Sequence, residues 1–161
     1  MRVTLGRRVI AETIGTAMLL AAVVGSGIMA DRLSGGNQAI ALLANTMATG
    51  AALVALILTF GPVSGAHFNP AVTVADATQG GLPWTDVPGY IVGQTAGGIV
   101  GVWSAHAMFQ EPILMVSRHP AFIAAQLAGA MAATILFRWL VPALPATAER
   151  VVVPRSAGAK Q

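Results

Sequence analysis

The residues best placed to do chemistry lie in one stretch, SGAHFNPAVT at 64–73. It sets Asn69, Pro70 and Ala71 between two apolar segments long enough to cross a membrane. Asn is a good helix N-cap, and Pro fits the first helical position, where its missing N–H costs nothing. The spacing therefore starts a helix at Pro70. A helix that begins inside a membrane protein aims free N–H groups and a positive dipole end at whatever precedes it. That chemistry is recognition rather than bond-making: a polar, cation-repelling spot in a pore. Asn69 can cap the helix with its side-chain oxygen and offer its NH2 to a passing water or hydroxyl. A plain surface turn is the alternative, and it needs no flanking spans.

Glu12 lies inside the first apolar run, where a lone carboxylate costs roughly 2.5–3.5 kcal/mol on insertion scales. Something must pair with it. A proton-relay carboxylate of a small coupled transporter is the rival role, and the weaker one. His67, a lone His in an apolar bundle, reads as structural. His106 and His119 look incidental. The sequence shows no Ser/His/Asp set, no paired carboxylates at a shared depth, no phosphate loop and no metal-ligand spacing. No catalytic residue, metal or cofactor is expected, and the chain does not read as an enzyme. It has no cysteine, so no disulfide or thiolate site.

The elements that position these residues follow from composition. Of 161 residues, 55% are hydrophobic and 9% charged; mean hydropathy is +0.72. A soluble domain carries about a quarter charged residues, so the chain reads as an integral membrane protein. Its nine Lys+Arg and six Asp+Glu are scattered, which argues against a nucleic-acid partner. Four spans are expected, at 9–30, 39–60, 88–109 and 121–141, with a helix too short to span at 70–79. The first run is about 22 residues long and contains Glu12, which fits a transmembrane helix better than a signal peptide. DRLSGGNQ at 31–38 and QGGLPWTDVP at 79–88 are turns, and Trp84 is an interfacial anchor. Gly61, Pro62, Ser64 and Gly65 break the second span.

Charge sets the orientation. Arg2, Arg7 and Arg8 precede the first span, while Arg138, Arg150, Arg155 and Lys160 lie at or beyond the end of the last. The positive-inside rule makes both ends cytoplasmic, with Arg32 and Arg118 as outward exceptions. The Asn69 loop then enters from the cytoplasmic face. Residues 1–144 form the transmembrane domain, and 145–161 a small, basic tail expected to be disordered.

An internal repeat joins the last two spans. PGYIVGQTAGGIVG, from Pro88, matches PAFIAAQLAGAMAA, from Pro120, sharing the Pro, an aromatic, Ile, Gln, Ala and Gly. The copies look like equivalent helices from two halves of a duplicated membrane protein. Gly93, Gly97 and Gly101 form a GxxxGxxxG run, matched by Ala125, Gly129 and Ala133, which suits close helix packing.

These residues resemble a known family. SGAHFNPAVT is similar to the first Asn-Pro-Ala loop of the aquaporin (major intrinsic protein) family. AETIGTAMLL resembles its first helix, and the Pro-aromatic-Gln-Gly pattern resembles its third and sixth. Such proteins have six spans and two half-helices in two inverted repeats. Here there is one Asn-Pro-Ala, and Pro120 begins something like the sixth helix directly after the loop that follows the third. The resemblance implies an all-α membrane protein: an aquaporin-like bundle of about four transmembrane helices plus one re-entrant half-helix. Helices four and five and the second half-helix are lacking. Removing two spans keeps the topology consistent.

The resemblance also implies roles. Phe68 lies beside the pore constriction and His67 behind it, bracing the loop. Glu12 holds the re-entrant loop through His67 or freed backbone N–H groups. Gln94 and Gln126 bond loop carbonyls, or make generic helix–helix hydrogen bonds. Thr49, twenty residues before Asn69, is the second-helix contribution to the outer selectivity filter. Its small size favours solutes larger than water, such as glycerol, urea-like molecules or metalloid hydroxides. Asn45, one turn away, continues the polar stripe. The alternative for Thr49 is a hydroxyl bonded to its own helix's i−4 carbonyl.

The expected function is passive conduction of water or small uncharged solutes across the cell (inner) membrane. The partners implied are the solute, the lipid bilayer and further subunits, either copies of this chain or intact family members. The rival is a non-conducting deletion relic that at most associates with intact subunits. Rescue by a second copy is disfavoured, because inverted repeats need opposite orientations in the membrane.

Overall fold

Thr4 opens the first helix by accepting the Arg7 N–H on its hydroxyl at 3.5 Å. In this computed structural model, α1 then runs Leu5–Leu33, followed by α2 (Gln38–Ser64), α3 (Pro70–Thr78) and α4 (Val87–Phe109). The structure describes residues 3–114 and the helical positions 131, 132, 135, 136 and 139. The span expected at 121–141, with Gln126 and Gly129, and the tail from 145 otherwise lie outside the described residues.

α1 has 29 residues, or about 44 Å at ~1.5 Å per residue. The helix is longer than the span expected at 9–30 because hydropathy marks the slab, not the helix end. Leu5 to Arg8 and Asp31 to Leu33 contain no proline. The turn after α1 has a local cause. Gly35 and Gly36 take left-handed φ of 59° and 86°. Asn37 then caps α2, its Oδ1 accepting from Ala39 and Ile40 N–H.

α2 corrects an expectation. Gly61 and Pro62 do not end it at residue 60; it continues to Ser64, with Pro62 inside its last turn. A proline there removes one backbone bond, and tertiary contacts hold the turn. The Ser64 carbonyl accepts the Tyr90 hydroxyl at 2.8 Å, and the Ser64 hydroxyl donates to Glu12 Oε1 at 2.6 Å. Gly65, at φ 93°, ends the helix with its N–H on the Gly61 carbonyl.

α1 packs against both α2 and α4, and α3 lies on α4. The α1–α4 contact is very close. A Cβ on Gly97 would collide with the Thr13 carbonyl, and one on Gly101 with the Ala17 carbonyl. A Cβ on Gly93 would stand 2.7 Å from the Thr13 hydroxyl oxygen. Glycines every four residues on α4 thus seat Thr13 and Ala17, which are also four apart on α1. Arg8 donates to Asp86 at 2.6 Å at one end of this pair. At the other end Arg32 donates to Glu111 and to the Phe109 carbonyl, each at 2.7 Å. Arg32, expected as an exception to the charge rule, is a paired charge.

Two described helices, α1 and α2, are long and apolar enough to cross a membrane. α4 has 23 residues and comparable reach, but Gly, Gln and His dilute its hydropathy. Large apolar side chains such as Leu42, Met47, Leu58 and Val92 are exposed, while glycines and polar groups are buried. That arrangement suits a lipid solvent.

Candidate functional site

The segment between α2 and α3 is strained and heavily bonded. Ala66 and Phe68 hold positive φ of 52° and 49°, conformations that cost of order 1–3 kcal/mol each. What holds them is Glu12, which is fully buried. Its Oε1 accepts the Ser64 hydroxyl at 2.6 Å and the His67 N–H at 3.0 Å. Its Oε2 accepts the Phe68 N–H at 2.7 Å and the Gln94 amide at 2.8 Å. A buried carboxylate needs compensating donors, and the irregular loop has backbone donors with no helix partner. Each solves the other's problem.

The network continues into α3. Gln94 Nε2 also donates to the Thr73 hydroxyl oxygen at 2.9 Å. His67 Nδ1 lies 3.2 Å from that same oxygen, and its Nε2 lies 3.5 Å from Asp76 Oδ2. Gln94 therefore bonds Glu12 and Thr73, not loop carbonyls: its NH2 faces two oxygens on neighbouring elements. Phe68 is buried, 3% exposed; its ring fills the space left by Gly15 and stands edge-on to Phe60 at 6.0 Å.

Asn69 is half-buried and has extended backbone, φ −153° and ψ 128°. Its Oδ1 caps α3 through the Ala71 N–H at 2.8 Å. With the oxygen occupied, the NH2 is the half of the amide left for other partners. Pro70 occupies the first turn of α3, and Ala71 supplies the capped N–H. Thr49 is half-buried on α2; its hydroxyl lies 3.4 Å from Asn45 Oδ1. Among the described residues, no hydrogen bond joins the Thr49 side chain to the Asn69 loop. Sequence reasoning missed Ser64, Thr73, Asp76 and Tyr90 as loop supports. Ser64 and Thr73 are the first and last residues of the ten-residue motif, which was the available signal.

A membrane bundle whose buried glutamate braces a re-entrant Asn-Pro-Ala helix matches a known family model, that of the major intrinsic proteins, over residues 1–112. The chain belongs to that family. Among its relatives is the aquaglyceroporin AqpS of Rhizobium meliloti (strain 1021), 54% identical over 113 residues, 70% of this chain and 48% of AqpS. The probable aquaporin NIP7-1 of Arabidopsis thaliana is 43% identical over 91 residues, 56% of this chain and 32% of its own. An aquaporin of Laccaria bicolor is 38% identical over 112 residues, 66% of this chain and 40% of its own. The chain thus spans half or less of the length of these relatives. Members of the family are membrane channels, not enzymes.

Proposed function

We propose that this chain is an aquaporin-like channel protein conducting water or small neutral solutes passively across the cell (inner) membrane, both termini cytoplasmic. The observation that carries this reading is Asn69. Its oxygen is committed to the α3 cap, so its NH2 is presented as a donor at the positive end of the half-helix. The loop carrying it is fixed by Glu12. Glu12 itself is sealed among four donors, which suits a brace better than a proton relay.

A second reading has its own support. α3 is the only half-helix among the described residues. A non-conducting relic that associates with intact family subunits accounts for that. Stopped-flow swelling of liposomes carrying the full chain separates the two. Conduction gives water or glycerol flux above that of empty liposomes, lowered at least several-fold by Asn69→Asp. Swelling equal to empty liposomes refutes conduction and leaves the relic, which co-purification with an intact relative then tests.

A further inference from the structure

At the start of α3 one hydroxyl proton has two claimants. Thr73 Oγ1 already accepts the Gln94 amide at 2.9 Å. Its single proton can go back to the Asn69 carbonyl, 3.1 Å away, or across to His67 Nδ1 at 3.2 Å. These distances do not choose between them. The choice lies with His67, because Nδ1 accepts only when bare, and in a neutral imidazole that puts the ring proton on Nε2. Among the described residues, Nε2 is buried and makes no hydrogen bond. Asp76 Oδ2 faces it at 3.5 Å, an ion-pair distance, and the two side chains are 3% and 13% exposed. In so dry a place a bare nitrogen lone pair opposite a carboxylate is repelled, and an N–H is attracted. Gly81 leaves room for that carboxylate, since a Cβ there would fall on it.

We propose that Asp76 is a positioning residue that holds the proton of neutral His67 on Nε2, so that the Thr73 hydroxyl donates to His67, and that a second proton, taken up at Nδ1, turns this hydroxyl onto the Asn69 carbonyl. Both states satisfy the groups involved. With one ring proton, Nε2–H faces Asp76, Nδ1 accepts from Thr73, and the Asn69 carbonyl accepts the Thr73 N–H at 3.0 Å. With two, Nδ1–H donates to the second lone pair of Thr73 Oγ1, and the Asn69 carbonyl gains the hydroxyl as a further donor. Rotation of one hydroxyl makes the change. The charged and titratable groups about the ring come from three elements. α1 supplies Glu12, which accepts the His67 N–H at 3.0 Å, and α3 supplies Asp76. α4 supplies Tyr90, its ring 5.4 Å from that of His67, with the Arg8 guanidinium of α1 over it at 5.9 Å. α2 sends the uncharged Ser64 to the same cluster. Burial opposes a charge on the imidazole, and the two carboxylates favour it. The proton state of His67 is thereby tied to the residue that caps the half-helix. The inference stands on side-chain geometry and does not need the chain to conduct.

The test is magnetic resonance on the full chain in lipid bilayers, with 15N in the histidine rings, 13C in the asparagine carbonyls and 15N in the prolines. Loss of signal in His67→Gln assigns the His67 ring, and Asn69 is assigned as the one Asn that precedes a Pro. Above neutral pH the ring shifts are expected to show a protonated Nε2 and a bare Nδ1. Asp76→Ala is expected to move the proton to Nδ1, where Thr73 still accepts. Asp76→Asn, which keeps a side-chain oxygen, is expected to return it in part to Nε2. An Asp76 that only packs would leave the ring shifts unmoved. On acidification both ring nitrogens become protonated, and the Asn69 carbonyl is expected to shift downfield with the same midpoint, a movement that Thr73→Val abolishes. A bare Nε2 in the unaltered chain above neutral pH, or a tautomer that ignores Asp76→Ala, overturns the proposal. So does an Asn69 carbonyl that ignores the His67 titration, or that still follows it in Thr73→Val. The readings on the unaltered chain decide the matter even where a variant fails to fold. None of them is a flux, so failure of the conduction reading is seen separately.

Discussion

Glu12 and Phe68 stand 56 positions apart, and the Phe68 N–H donates to Glu12 Oε2 at 2.7 Å. The bond closes a loop whose backbone has left helical geometry, using the one carboxylate buried in the first span. Glu12→Gln keeps the shape but puts an NH2 where one carboxylate oxygen meets two donors. Loss of these charge-assisted bonds is expected to lower stability by about 2–4 kcal/mol. Thermal unfolding in detergent measures it. Unchanged melting would mean that Glu12 does not hold the loop.

Gly15 and Phe68 make a second test. A Cβ on Gly15 would overlap the Phe68 ring, so Gly15→Ala must displace the ring or the loop. Overpacking of this kind costs about 1–3 kcal/mol. Adding Phe68→Leu to Gly15→Ala is expected to recover part of the loss, read in the same melting experiment.

Adjacent glycines on α4 differ in what faces them. Gly97 abuts the Thr13 carbonyl, whereas an added Cβ on Gly98 would meet only the Thr16 methyl at 4.0 Å. Gly97→Ala is expected to separate α1 from α4 and to destabilise by about 1–3 kcal/mol. Gly98→Ala is expected to be neutral or to stabilise by up to about 1 kcal/mol, since Ala is the better helix former. Equal effects would contradict the close α1–α4 approach.

The two ion pairs are expected to respond differently to salt. Arg32–Glu111 is partly exposed, at 49% and 30%, while Arg8–Asp86 is largely covered, at 14% and 15%. Arg32→Gln should cost no more than about 1 kcal/mol and lose its effect in high salt. Arg8→Gln should cost more, with little salt dependence, because it strands Asp86 beside Tyr90. Melting of both variants at low and high ionic strength makes the comparison.

Much of the architecture was legible in the residues. Hydropathy located α1 and α2, Asn69-Pro70 marked the start of α3, and Gly35, Gly36 and Asn37 marked the first turn. The helix ends were harder. α2 passes Pro62 because Ser64 bonds groups on α1 and α4, and no local pattern records partners so distant in sequence. The direction of Phe68 and the partners of Gln94 were hidden for the same reason.

Sequence alone determined that this chain lives in lipid, that it starts a half-helix at Pro70 and that Glu12 needs a partner. Each follows from local chemistry: apolar run length, cap preference, and the cost of a bare charge in hydrocarbon. Only tertiary structure decided which donors satisfy Glu12, which side of α4 seats α1, and where the Thr49 hydroxyl turns. Those outcomes depend on groups brought within about 3 Å by packing, and distance along the chain carries no information about that.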